Sequence, residues 1–421
     1  MSILKTVSIA SLALIASTAL MAEDIAITGG KVVTMGKAGT LENAVVLIKD
    51  GKIKKVAAGI DVPKDYTVID ATGKIVTPGF MGSQTGLGLH EGPSWAGVND
   101  GDASKAKLGA ALDATWGLNA NQTPFGVNRI EGITRAATNI SRTKGLFSGQ
   151  GAVISLDGAD VLRSKAYITL SVDERAAEKV GGRPVVWHTV IKALEDSQPK
   201  KKSKKSRKSK GGADAKKPDE DKKALATLHT GEVTLVINAS RQSDILNVIR
   251  LKEKFPKIKM AISGAHEAWM VADALAKSGI PAIVHPTDNL PGAFDRLATT
   301  QQNAGRLEKA GVKVAILGNG DANVRLAIQN AGNAVANGMS WDAAMAALTT
   351  VPAEIYGIST SYGKLEAGMD ADVVVWDGDP LELMTSPDVV IIRGENIPLV
   401  SRQTKLRDRY LNTPRSPAYV K

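Results

Sequence analysis

The chain has 421 residues and 43% hydrophobic content, enough for one large α/β barrel with an appendage or for two to three ordinary domains. It contains no cysteine, which excludes disulfides and thiolate catalysis. The net charge of +10 is local: residues 199–223 hold twelve Lys/Arg against four Asp/Glu and Lys5 adds one more, so the rest is near neutral and a broad basic nucleic-acid face is excluded.

The chain opens with MSILKTVSIASLALIASTALMA, residues 1–22. Lys5 precedes an apolar run from Val7 to Met21 that ends at small residues, with Ala22 or Ala19 as cleavage point. This is the pattern of a secretory signal peptide and predicts an exported, periplasmic protein. The run is short for a bilayer span of about 20 residues. Residues 23–76 read as β structure, with DIAITGGKVVTM, AVVLIKDGKIKKVAAG and YTVIDATGKIVTPGF as strand-rich segments. Apolar residues alternate on both sides of Asp50-Gly51, a hairpin signal.

From residue 77 to residue 364 the pattern runs strand then helix. GITRAATNI, TLVINAS, IKMAISG, IPAIVH and VKVAILGN are short β-branched runs. The helical stretches ASRQSDILNVIRLKEK, HEAWMVADALAKSG and VRLAIQNAGNAVANG lie among them. Repeated βα units predict a parallel sheet, and their number suits a (β/α)8 barrel better than an open sheet. SWDAAMAALTTVPAEIYGI reads as a helix pair capped by Ser340, with Pro352 at the start of the second helix. Residues 365–421 return to short strands, ADVVVWDGD and PDVVIIRGENIPLV, so both chain ends are expected to build one small β-sandwich domain. The Lys-rich insert at 199–223 is almost free of apolar side chains and cannot bury enough surface to order itself. It is either a solvated insertion or a contact for an anionic surface such as phospholipid or a phosphate polymer. Nucleic acid is not expected, because no aromatic residue lies in the run to stack on bases.

Two blocks together resemble the amidohydrolase superfamily on its imidazolonepropionase-like side: GKIVTPGF, and AALTTVPAEIYGISTSYGKLEAGMDADVVVWDGDP. The resemblance implies a TIM-like barrel flanked by a β-sandwich, with one or two divalent metals, often zinc, at the C-terminal mouth of the strands. Such a metal activates a water for hydrolysis of non-peptide C–N bonds. The metal ligands implied are His-x-His after strand 1, one His after each of strands 5 and 6, and an Asp after strand 8. Set against that pattern, this chain departs at nearly every position. After strand 1 it reads Gly82-Ser83-Gln84-Thr85-Gly86, after strand 5 Asn238-Ala239-Ser240-Arg241, and after strand 6 Gly264-Ala265-His266-Glu267-Ala268. After strand 8 it reads Gly318-Asn319-Gly320-Asp321, leaving Asp321 as the one carboxylate matching the family's catalytic aspartate. Gln84, Gly86, Asn238 and Gly264 thus stand where ligands are implied, and neither amides nor glycine serve a transition metal. No cofactor is expected unless other side chains rebuild a zinc site.

His90, His266 and His285 would all lie on the catalytic face of such a barrel, beside Glu91 and Glu267, and are the candidates for a rebuilt polar or metal site. His188 reads as a helix-face residue and His229 as a solvated residue bordering the insert. The loop HPTDNLPGAFDRL brings Asp288, Asn289 and Asp295, which serve either loop hydrogen bonding or ligand contact. The glycine-rich stretch at 145–151 lacks the lysine of a phosphate loop. Ser83 and Ser263 lie at strand ends outside any nucleophile-elbow motif. Three functions follow from this sequence. The chain is a non-catalytic homologue, acting as a pseudoenzyme subunit of an active amidohydrolase or as a binding protein; or it is a C–N hydrolase with a non-standard site; or it binds an anionic surface through its insert. Partners on the first reading are an active amidohydrolase or further copies of the chain.

Overall fold

The computed structural model describes residues 23–91, 99–158, 160–199, 219–320 and 323–411. The expected signal peptide, most of the Lys-rich insert and Asp321 lie outside the described residues.

In chain order the first five strands are β1 Ile25–Val33, β2 Thr40–Lys49, β3 Lys52–Ala58, β4 Thr67–Asp70 and β5 Ile75–Pro78. The next four are β6 Phe80–Thr85, a two-residue β7 Asp102–Ala103, β8 Ile133–Thr138 and a two-residue β9 Arg142–Thr143. They are followed by β10 Phe147–Ser155, β11 Val161–Ser171, β12 Thr234–Ala239, β13 Lys259–Gly264, β14 Ala282–Val284 and β15 Val314–Ile316. The chain closes with β16 Val373–Trp376, β17 Pro387–Ile392 and β18 Glu395–Ile397.

Both chain ends share one sheet, in the order β18-β17-β16-β5-β1-β2-β3, with β4 also paired to β1. The β2–β3 hairpin turns at Asp50-Gly51, both with positive φ (51° and 72°), the primed turn that matches strand twist. The seam between the ends is β5 against β16, antiparallel, with Val76 opposite Val375. Ile25, Ile27, Val46, Ile48, Val76, Val373 and Val375 form the core of this unit.

The second sheet is an eight-stranded, nearly closed barrel in the order β15-β14-β13-β12-β11-β10-β8-β6. Its two end strands both pack against the helix Trp341–Leu348, which Ser340 caps by accepting from the Ala343 amide. Seven strands run parallel, and β10 alone runs antiparallel, between β8 and β11. The glycine-rich stretch at 145–151 therefore leads into an inner barrel strand. At Gly151 an added Cβ would fall 2.3 Å from the Tyr167 ring, so the absent side chain is what lets Tyr167 fill the barrel.

One residue from each of the eight strands builds the interior layer: Met81, Ala137, Val153, Tyr167, Val236, Ala261, Ile283 and Ala315. Ile355, Tyr356, Ile358 and Tyr362 join the same cluster. Barrel and terminal sheet are locked by Arg135 of β8, 1% exposed. It donates from Nε to Asp372 Oδ2 at 2.9 Å and from Nη2 to Asp370 Oδ2 at 2.7 Å. Its guanidinium lies 4.4 Å from the Tyr362 ring centre. Trp376 stacks on Phe80 at 5.2 Å and donates to Thr77 Oγ1 at 2.9 Å.

Candidate functional site

Side chains alternate along a strand, so the residues two positions beyond the apolar layer, toward the C-terminal ends of the parallel strands, point into the same barrel. These are Ser83, Asn139, Thr169, Asn238, Ser263, His285 and Leu317. The step from an apolar to a polar layer is where the core ends and the mouth begins. A cavity of about 280 Å³ opens there, lined by Ser83, Gln84, Asn139, Thr169, Asn238 and Leu317.

Gln84 enters this mouth on a backbone kink. Its φ is 49°, in the left-handed region that non-glycine residues rarely adopt, and the β6–β8 register shifts between Gly82 and Thr85. Four side chains then bond head to tail. Ser263 Oγ donates to Gln84 Oε1, Gln84 Nε2 donates to Asn238 Oδ1 at 2.9 Å, and Asn238 Nδ2 donates to Ser171 Oγ at 3.2 Å. The chain joins the ends of β6, β11, β12 and β13.

A second, ionic chain runs along the rim. Ser240 Oγ lies 2.9 Å from His266 Nδ1, and His266 Nε2 lies 2.9 Å from Asp288 Oδ2. The other carboxylate oxygen of Asp288 lies 3.0 Å from His285 Nδ1, and His285 Nε2 lies 2.6 Å from Asn319 Oδ1. Asn330 fixes that last orientation: its Nδ2 donates to the Leu317 carbonyl at 2.7 Å and to Asn319 Oδ1 at 3.0 Å. Hydrogen bonds from His266 and His285 hold the Asp288 carboxyl well below the usual carboxylate range. The Asp288 hydrogen bond raises His285 above the ordinary histidine value, against the opposing effect of burial.

The loops that carry these groups are stapled together. The Glu267 amide donates to the Ser240 carbonyl at 3.0 Å. The Glu267 carboxylate accepts from the Gln242 amide at 2.9 Å and the Ala298 amide at 3.1 Å. Gly264, with φ 84°, turns the chain out of β13, and a Cβ there would lie 3.2 Å from Ser240 Oγ. A cavity of about 680 Å³ opens beside this rim; Asn238, Ser240, Ser263, Gly264 and His266 line it, together with Arg175 and Arg296. Asn238 and Leu317 line both cavities, so the two share a wall.

The model of the amidohydrolase family matches residues 177–400, more than half of the chain, a span that holds strands β12–β18. The chain belongs to the amidohydrolase family. Among curated proteins, this family member is 25% identical over 386 residues to amidohydrolase tasK of Hapsidospora irregularis, which covers 83% of this chain but 39% of that relative. It is 25% identical over 387 residues to the imidazolonepropionase of Brucella anthropi, covering 82% of this chain and 90% of the relative. It thus spans well under half the length of the first of these relatives and most of the second. Among solved structures, an amidohydrolase from Thermotoga maritima superposes with TM-score 0.77 at 22% identity, covering 90% of this chain and all of that one. A molinate hydrolase structure superposes with TM-score 0.56 at 16% identity, covering 95% of this chain and all of that one. These structural likenesses establish the fold.

Within the family barrel, Gln84 and Asn238 meet at the mouth. Gly86 lies just beyond β6, and Gly264 ends β13. His266 and His285 are brought together through Asp288. His90 lies in the loop after β6, its backbone bridged to Asn99, and among the described residues it takes no part in the rim chain. Glu267 is committed to backbone amides, and Glu91 accepts from Asn119 Nδ2. His188 sits, as expected, on the helix Arg183–Ser197, where it lines a separate cleft of about 530 Å³ with Lys192, Asp196 and Asp221. His229 departs from the expectation of a solvated residue. It is half-buried, its Nε2 lies 3.0 Å from the Leu194 carbonyl and 3.1 Å from Ser197 Oγ, its ring lies 6.0 Å from that of Phe255, and burial pushes its pKa down. Among the described residues no group of three or more His, Asp or Glu side chains is placed to hold a metal ion. Sequence reasoning had not joined Ser240 and Asp288 to His266. The available signal was position, since all three lie within a few residues of the C-terminal end of a barrel strand, where this fold presents its reactive groups.

Proposed function

We propose that this chain is an exported member of the amidohydrolase family that does not run the family's metal-dependent hydrolysis, and that its barrel mouth binds a small polar ligand without a metal. The observation that carries this reading is the chain Ser263–Gln84–Asn238–Ser171 at the mouth. At the positions where the family pattern implies histidines, Gln84 and Asn238 present neutral amides already bonded to one another and to Ser263 and Ser171, and Gly86 and Gly264 present no side-chain donor. That donor set does not fit zinc, which takes imidazole, thiolate or carboxylate. It does fit a ligand carrying an amide or other paired donor and acceptor, for which Gln84 and Asn238 would exchange their mutual hydrogen bond. Under the same reading, residues 1–22 direct export to the periplasm, and the chain assembles with an active relative or with further copies of itself. The insert at 199–223 adds contact with an anionic surface.

The test is metal analysis of the protein purified without chelator from cells supplied with zinc. Trace metal is the expected result. Zinc at one equivalent per chain overturns the reading.

A further inference from the structure

We propose that Ser240, His266 and Asp288 form a metal-independent acyl-transfer site on the rim of the barrel, with Ser240 as nucleophile, His266 as general base and Asp288 as the positioning residue. The proposal concerns the mouth described above and rests on the preceding reading only in needing no metal.

The geometry contains the parts such a site requires. The two separations, Ser240 Oγ to His266 Nδ1 and His266 Nε2 to Asp288 Oδ2, are both 2.9 Å, within direct hydrogen-bond reach for nucleophile to base and base to orienting carboxylate. The proton positions follow from the groups themselves. An ionised carboxylate can only accept, so the proton shared with Asp288 sits on His266 Nε2. In the neutral imidazole, Nδ1 is then the bare nitrogen, facing the Ser240 hydroxyl as acceptor. The ring is oriented for base catalysis by the same logic that orients the histidine of serine hydrolases, through the opposite nitrogen.

The array is also rigid and open to solvent. Ser240 is held by its carbonyl, which accepts from the Glu267 amide at 3.0 Å, and that residue's carboxylate ties back to the Gln242 amide. Asp288 is held from its other side by His285, itself fixed by Asn319. The His266 side chain is 11% exposed, while Ser240 and His266 both line the 680 Å³ cavity. Asn238, two residues before Ser240, lines the same cavity, and the second N–H of its Nδ2, beyond the one donated to Ser171 Oγ, is the one we assign to a developing oxyanion.

The reaction follows from these atoms. Ser240 Oγ bonds to the carbonyl carbon of an ester or amide while its proton passes to His266 Nδ1, and the carbonyl π electrons move to oxygen. The tetrahedral adduct collapses by breaking the bond to the leaving alcohol or amine, which takes the proton from His266. Water then repeats the sequence on the acyl-serine, releasing the carboxylic acid and restoring Ser240. Phe294, 80% exposed on the loop after β14, lines the same cavity, and Leu290 on that loop is 79% exposed. The substrate class that fits is a carboxylic ester or amide with an apolar group on one side of the scissile bond.

The test uses the full chain and a fluorophosphonate probe, with the labelled residue mapped by peptide mass spectrometry, alongside hydrolysis of 4-nitrophenyl butyrate. The wild type should label at Ser240 and hydrolyse the ester, both after exhaustive chelation. S240A should lose both. D288N should slow labelling by about 10²–10⁴-fold, while a far-UV spectrum like that of the wild type shows that the fold is kept. Folded wild-type protein that does not label at Ser240, or ester hydrolysis unchanged in S240A, overturns the proposal. Labelling of D288N at the wild-type rate removes Asp288 from the site. The result separates from the preceding test. One equivalent of zinc with Ser240 labelling sinks only the metal-free reading, and trace zinc without labelling sinks only this one.

Discussion

Replacing Asp372 with alanine removes the carboxylate that ties the barrel to the terminal sheet. Asp372 is 2% exposed and its partner Arg135 1%. The carboxylate accepts from Arg135 Nε at 2.9 Å and Nη2 at 3.2 Å, and from the Arg393 amide at 3.1 Å. Burial alone would lower the Arg135 guanidinium, yet the charge and hydrogen bond of Asp372 hold it above its ordinary value. Removing one partner of a buried pair costs about 3–5 kcal/mol, because the other charge stays buried and uncompensated. Asp370 still reaches Arg135 Nη2 at 2.7 Å, which argues for the low end. The Arg393 amide left without its acceptor adds about 1 kcal/mol. Asp372→Ala should therefore lose about 4 kcal/mol, read as a lower midpoint at unchanged slope in urea unfolding. Adding Arg135→Met to that variant should recover part of the loss, since the stranded charge goes as well. A single-variant loss of about 1 kcal/mol or less, with no recovery in the double variant, would refute the reasoning.

Two further outcomes follow from the rim. Asp288 is depressed in the folded state, so its contribution is present above the ordinary carboxylate value of 3.8 and is lost as pH falls below it. His285 is raised, so its contribution is full below the ordinary histidine value of 6.5 and is lost as pH rises through the folded value. The stability deficit of Asp288→Asn relative to wild type, measured by thermal melting across pH, should thus be largest between about pH 4 and 6.5 and shrink on either side. A deficit that grows steadily toward alkaline pH would contradict the His285–Asp288 pairing. Gly264→His puts a histidine at a position where the family pattern implies one, but it must be seated at φ 84° with its Cβ 3.2 Å from Ser240 Oγ. It should cost about 1–3 kcal/mol and gain no zinc affinity by isothermal titration; tight zinc binding would show that the remaining mouth residues suffice as ligands.

The fold was legible where periodicity or turn chemistry is local. The Asp50-Gly51 hairpin, the Ser340 cap and the strands ending at Ala239, Gly264 and Val284 all follow from short-range patterns. β10 and β11 were not legible, because Gly149 and Gly151 read as a loop until the fold brings Leu112 and Ile140 against the first and the Tyr167 ring against the second. Individual residues of the mouth could be named from spacing, but their bonding could not. Gln84 and Asn238 are 154 positions apart, and a hydrogen bond between them exists only once eight strands have curled. The same holds for Ser240, His266 and Asp288. Each is ordinary in its own loop, and they become a chain through the parallel registers of β12, β13 and β14.

The seam between β5 and β16 also governs the order of assembly. β5 ends at Pro78 and its partner begins only at Val373, so nearly the whole barrel is synthesised while that inner edge lacks its neighbour. An unpaired, apolar inner strand is a template for pairing with other chains, and closing so long a loop is slow. The β5–β16 pairing can therefore form only once residues 79–372 have been made. A chain truncated before Val373 would keep its barrel strands and leave the β16 side of β5 unpaired, an open edge of the kind that recruits other strands.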